Sequence, residues 1–188
     1  VYQHDREIAL LAESGAKIVN TPLCEMKIQD GIAPIPKMVT AGVAVCLGTD
    51  GAVWNNSNDI FREMKGMALL HTINSGIRSL SKTDILDMAT INGARAFRIQ
   101  EDYGTIEEGK KADFILINTE KPHMRPLRVG LMENVTSNVV FNATGSDVTD
   151  VFVGGRRVVE NGVLQGIDLQ YIMQRVQSTS ERIAQGIK

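Results

Sequence analysis

The stretch 43–51, Val-Ala-Val-Cys-Leu-Gly-Thr-Asp-Gly, constrains the fold more than any other part of the chain. Its first five residues are apolar and rich in branched side chains, the composition of a buried, parallel-type strand. Gly48, Thr49, Asp50 and Gly51 then set a carboxylate at the C-terminal tip of that strand, where α/β folds gather ligand and catalytic groups. The flanking glycines let other groups come close to the backbone around Asp50. Such a carboxylate can bind a metal or act as a general base, or it can cap the helix that follows. The tetrapeptide alone favours the cap, because short motifs recur by accident.

Residues 5–14 carry apolar side chains at helical spacing and stop at Gly15, and 17–20 read as a short strand closed by Thr21 and Pro22. Residues 33–41 read as a helix that leads into the 43–47 strand. Alternation of helix and strand with short connections marks parallel βα units, in a barrel or a doubly wound sheet. Beyond Asp50, a polar segment containing Trp54 and Asn55 precedes a helix over 59–71, whose methionines read as core packing. Another helix spans 81–97, opened by a capping box from Ser81 to Asp84, with a break or tight packing point at Asn92-Gly93.

From Gly104 the pattern turns to short strands: 112–117, then two pieces within 147–164 joined at Gly154-Gly155, then a turn at Asn161-Gly162. A short helix is expected within 132–143, and an amphipathic helix over 169–187 that packs back on the body. The expected partition is therefore βα units over 1–97, a mainly β part over 98–166 and a terminal helix in 167–188.

The chain has 188 residues, 43% of them hydrophobic, enough for a real core. Its 20 basic and 22 acidic residues are spread evenly, which argues against nucleic acid or an anionic membrane and for a small-molecule or protein partner. No apolar span of membrane length occurs. Cys24 and Cys46 form no metal-type pair and read as reduced thiols of a cytoplasmic protein. His4, His71 and His123 lie far apart, away from strand tips, and read as structural or solvent-facing. Arg156 and Arg157 read as solvated residues of a hairpin turn. Val1, with no initiator methionine and a helical pattern close behind, suggests a piece of a longer chain.

Five blocks in order carry a resemblance: 31–38 (GIAPIPKM), 47–52 (LGTDGA) with Asn55 and Asn56 behind it, 88–96 (MATINGARA), 104–114 (GTIEEGKKADF) and 151–159 (VFVGGRRVV). Together they resemble the C-terminal half of a metal-dependent amidohydrolase. The nearest branch holds the methylthioadenosine/S-adenosylhomocysteine deaminases, the cytosine and guanine deaminases and the triazine chlorohydrolases. The resemblance implies the C-terminal part of a distorted (β/α)8 barrel plus part of a small β-sandwich, with 17–20 and 43–47 as the seventh and eighth barrel strands. Asp50 would be the eighth-strand aspartate, which in that family contacts a divalent metal, zinc or iron, and takes a proton from the attacking water. The family's histidine ligands and its acid glutamate come from earlier strands, which would lie upstream of Val1. One carboxylate cannot supply the three or more ligands of a catalytic site, so the piece alone should be inactive.

Many relatives carry Asn-Pro-x-Ser-Asn-x-Lys after the seventh strand, where this chain has Thr21-Pro22-Leu23-Cys24-Glu25-Met26-Lys27. In a loop at the barrel mouth, Glu25 can meet an amino or cationic group of a substrate, or be a solvated residue balanced by Lys27. Trp54 can stack on a planar ring with Asn55 beside it, or simply pack. The reading is a fragment of a hydrolase of non-peptide C–N bonds that deaminates a nucleoside, purine or related heterocycle, with a homo-oligomer expected. The alternative is a non-catalytic remnant whose open strand edges make it an assembly module.

Overall fold

Short apolar runs bounded by glycine and proline become strands, and the longer periodic runs between them become helices. In the computed structural model, which describes residues 1–75 and 79–186, the first part runs α1 (Asp5–Ser14), β1 (Lys17–Asn20), α2 (Pro22–Ile28), α3 (Ile35–Thr40), β2 (Ala44–Leu47) and α4 (Ala52–Asn55). The two strands are parallel, paired from Lys17–Ala44 to Asn20–Leu47. A parallel pair needs a crossover, and α2 and α3 supply it. The loop expected after β1 is instead the helix α2. Pro22 stands in its first turn, where a fixed φ and a missing N–H cost nothing.

The helix expected over 59–71 is α5 (Ile60–Ser75). It is followed by α6 (Lys82–Ala89) and α7 (Ile91–Phe97), which part at Thr90, two residues before the expected break. Asn92 does mark a packing point, since its Nδ2 donates to the Val45 carbonyl of β2 at 2.9 Å. Met38, Met64, Met67 and Met88 are all buried in the core with Ile35 and Val45, as flexible gap-fillers should be.

An antiparallel sheet follows in the order β3 (Phe114–Ile117), β4 (Val148–Val153), β5 (Arg156–Glu160), β6 (Val163–Leu164). Its tight turns place Gly154, Gly155, Asn161 and Gly162 at positive φ, the geometry that matches strand twist in two-residue hairpins. The third hairpin strand, β6, is two residues long and too short to leave a pattern. Between β3 and β4 stands α8 (Val135–Phe141), which packs on α5 and α6 and fully buries Val140.

Arg157 does not sit in a turn. It lies in β5, and its Nε donates to the buried Asp150 at 2.7 Å. Asp147 is also buried and satisfied: it accepts from Lys121 at 2.7 Å and from the Thr144 amide at 2.8 Å, and His123 Nε2 lies 3.1 Å away. Burial alone would raise this carboxyl, but these hydrogen bonds outweigh it and hold the group well below the usual carboxylate range. His123 is thereby structural, and His4 sits at the N-cap of α1.

The terminal helix α9 (Leu169–Gly186) departs most from expectation. Every residue of it is exposed, so it does not pack back on the body; residue 187, the expected last one, lies outside the described residues. Its apolar side chains, Leu169, Ile172, Val176 and Ile183 among them, face solvent. Among the described residues no helix is long and apolar enough to cross a membrane.

His71 on α5 is 1% exposed, and its Nδ1 has no partner among the described residues. Burial pushes this imidazole below its ordinary pKa. The unfolded chain takes up a proton near pH 6.5 while the folded chain resists it, so stability is lost as the pH falls through and below about 6.5. Thermal unfolding followed from pH 7 to 5 should show a falling midpoint, and His71→Leu should flatten that fall. An acid limb unchanged by the substitution would refute this assignment.

Candidate active site

The tips of β1 and β2 lie side by side, and the Gly48 amide donates to the Asn20 carbonyl at 3.0 Å. Gly48 is required by close approach: a Cβ there would stand 2.8 Å from Val19 Cγ1 and 3.4 Å from Thr21 Cγ2. The chain then turns at Asp50, whose φ of 58° lies in the left-handed region, one that Asp tolerates better than most residues. Gly51, not Asp50, is the N-cap of α4. The cap reading of Asp50 therefore fails by one residue.

The Asp50 carboxylate is instead oriented by two donors. Oδ1 accepts from the Gly51 amide at 2.6 Å, and Oδ2 accepts from the Cys24 thiol at 3.0 Å. The thiol is the larger influence holding Asp50 below the usual carboxylate range, with the Gly51 amide second. The same contact pushes Cys24 up to about 11. At neutral pH the pair is thus a protonated thiol donating to an ionised carboxylate. Cys46, also buried, donates to the Ile18 carbonyl at 3.4 Å.

The other residues singled out from the sequence gather around these tips. Glu25 Oε1 accepts from Asn20 Nδ2 at 2.6 Å and from the Thr21 amide at 3.3 Å. Lys27 does not balance Glu25; its Nζ turns to the Trp54 carbonyl at 2.6 Å and to Asn56 Oδ1. Trp54 is 56% exposed. Asn55 Nδ2 donates to the Thr49 carbonyl and to Glu63 Oε1, both at 2.6 Å. Glu63, fully buried on α5, also accepts from the Leu23 amide at 3.1 Å. Burial raises its carboxyl, and these two donors pull it partly back.

Two residues at this site escaped the sequence reading. Cys24 was read only as a reduced thiol, and Glu63, on the helix whose methionines were read as core packing, was not singled out. Glu63 was a usable signal, because a carboxylate on an apolar stripe needs partners when buried.

As a metal site the described residues fit in part. Asp50 offers an ionised, exposed carboxylate at a strand tip, suited to be one donor to a divalent cation. Among the described residues no three His, Cys, Asp or Glu side chains converge to complete a set.

Residues 1–158 match the amidohydrolase family, and the chain belongs to it. More particularly, it is 38% identical over 184 residues to a 5'-deoxyadenosine deaminase of Methanothermobacter thermautotrophicus, a match covering 97% of this chain and 42% of that protein. It is 35% identical to a 5-methylthioadenosine/S-adenosylhomocysteine deaminase of Syntrophomonas wolfei, again covering 97% of this chain and 42% of the relative. In structure it superposes on a zinc-bound adenosine deaminase from Xanthomonas campestris with a TM-score of 0.91 at 28% identity, covering 97% of this chain and 41% of that one. The chain thus spans about two-fifths of the length of the proteins it matches.

The tip geometry predicts a contrast between two glycines. Gly48→Ala should lower unfolding stability by about 1–3 kcal/mol, the usual cost of overpacking. Gly93→Ala, inside α7 with nothing within 4 Å of the new Cβ, should be neutral or stabilising by roughly 0.5–1 kcal/mol. Denaturant titration of both variants checks the ranking, and equal effects would contradict it.

Proposed function

We propose that this chain forms the C-terminal part of a (β/α)8 hydrolase acting on non-peptide C–N bonds, with β1 and β2 as the seventh and eighth barrel strands. The antiparallel sheet is read as part of a small β-sandwich. The observation that carries the proposal is the Asp50 carboxylate at the tip of β2, ionised and oriented by Cys24 and Gly51. The deaminase names of the relatives at 38% and 35% identity support the same class of reaction.

In this reading Asp50 is one ligand of a divalent cation, zinc or iron, and the remaining ligands come from sequence outside this chain. When bound, such a cation supplies Lewis-acid activation of a water nucleophile. Asp50 would accept a proton from the attacking water on a carboxylate oxygen and return it to the departing amino group; the water oxygen bonds to the ring carbon, the bond from that carbon to its exocyclic nitrogen breaks, and ammonia leaves. The substrate class is a nucleoside, purine or related heterocycle. Trp54 offers an exposed indole for stacking, and Glu25 keeps Oε2 for an amino group. For Asn55 only the carbonyl end is available, since its amide nitrogen is committed to Thr49 and Glu63. The reading includes a cytoplasmic setting for the reduced thiols and self-association into a homo-oligomer.

The test is ammonia release by the complete, zinc-loaded protein offered 5'-deoxyadenosine, methylthioadenosine, S-adenosylhomocysteine and free purines. Release is expected with at least one of them, and none from the 188-residue chain alone. Asp50→Asn should lower kcat by about 10²–10⁴-fold, the usual worth of a positioned acid–base group, and Trp54→Ala should act mainly on KM. No release from the complete protein across the panel would overturn the proposal.

A further inference from the structure

Glu63 is a carboxylate with no exposed surface, on a helix whose other buried residues include Phe61, Met64 and Met67. Burying such a group is costly unless its oxygens are bonded, and both are. Oε2 accepts from the amide of Leu23, the residue before Cys24, and Oε1 accepts from the side chain of Asn55. Cys24 in turn donates to Asp50, while the same Asn55 nitrogen donates to the carbonyl of Thr49, the residue before Asp50. Two routes therefore run from Glu63 to one carboxylate, through Leu23–Cys24 on the β1 side and through Asn55–Thr49 on the β2 side.

We infer that Glu63 is a positioning residue that fixes the aim of the Asp50 carboxylate, with the Asn55 amide nitrogen serving as its brace. A plug for two stray N–H groups would not need to reach the segments flanking Asp50 from both sides. The inference rests on the catalytic role proposed for Asp50, but its mechanical content does not.

Charge and geometry set the test. Both partners of Glu63 are donors, so Glu63→Gln, nearly isosteric, keeps an acceptor for one and turns a donor toward the other. Asn55→Asp sets an acceptor against two others, Glu63 Oε1 and the Thr49 carbonyl. The double variant restores a donor at 63 opposite an acceptor at 55, while the contact to Thr49 stays lost. In the complete, zinc-loaded protein, each single substitution should lower kcat by about 10–100-fold, the usual cost of losing a group that orients a ligand, with zinc content and KM nearly unchanged. The double variant should lose at least fivefold less than the product of the single losses, since coupled residues are not additive.

A second readout does not need activity. Alkylation of Cys24 by iodoacetamide, resolved from Cys46 by peptide mass spectrometry, should be slow in the parent protein, at least tenfold faster in Glu63→Gln and slow again in the double variant. If the parent protein releases no ammonia, the functional reading fails while the alkylation pattern still decides the positioning role. Should Glu63→Gln fail to fold, a folded double variant supports the inference and an unfolded one overturns it. Multiplicative single effects, or Cys24 protection indifferent to position 63, also overturn it.

Discussion

Parallel pairing between β1 and β2 is the constraint on which the site depends. The four paired positions, Lys17–Ala44 to Asn20–Leu47, bring together two strand tips that lie 27 residues apart in sequence. A lone two-stranded unit is marginal in water. Here its underside is secured by buried Val45, Ile35 and Met38, and by the Asn92 side chain that reaches the Val45 carbonyl. Without that register Cys24 would not face Asp50, and the Gly48 amide would not meet Asn20.

Above the apolar layer lies a polar one with a consistent electrostatic sense. Glu25, Asp50 and Glu63 each accept from neutral donors: amides, a thiol and side-chain carboxamides. The neighbouring cation, Lys27, points its ammonium at the Trp54 carbonyl instead. Among the described residues, negative charge at the tips is therefore oriented without being neutralised by an ion pair, the condition under which a carboxylate remains able to attract a cation. The antiparallel sheet and the turn leading into it handle their acids differently, giving Asp147 a lysine and Asp150 an arginine.

Much of this architecture was legible because its signals are local. Branched residues mark β1 and β2, helical periodicity marks α1 and α5, and Gly154-Gly155 and Asn161-Gly162 mark hairpin turns. Asp50 was legible because a strand ending in Gly-Thr-Asp-Gly leaves its acid at the tip. Pro22 misled because proline both stops strands and opens helices, and only the tertiary setting chooses between them. Cys24 was hidden because its partner lies 26 residues away, beyond any spacing rule; Glu63 was visible as an acid on an apolar stripe, but its tie to Leu23, 40 residues back, was not. In α9 periodicity disclosed an apolar face, but nothing local states what that face meets.

The backbone at Asp50 carries one more consequence. A residue held at a φ of 58° sits where most side chains lose about 1–2 kcal/mol through contact between Cβ and the next carbonyl, and where glycine and the short Asn/Asp pair are the usual occupants. The main chain therefore selects the length of the acid as well as its location. Lengthening it by one methylene to glutamate would incur that strain as well as moving the oxygens, so anyone redesigning the reach of this carboxylate must first rebuild the turn beneath it.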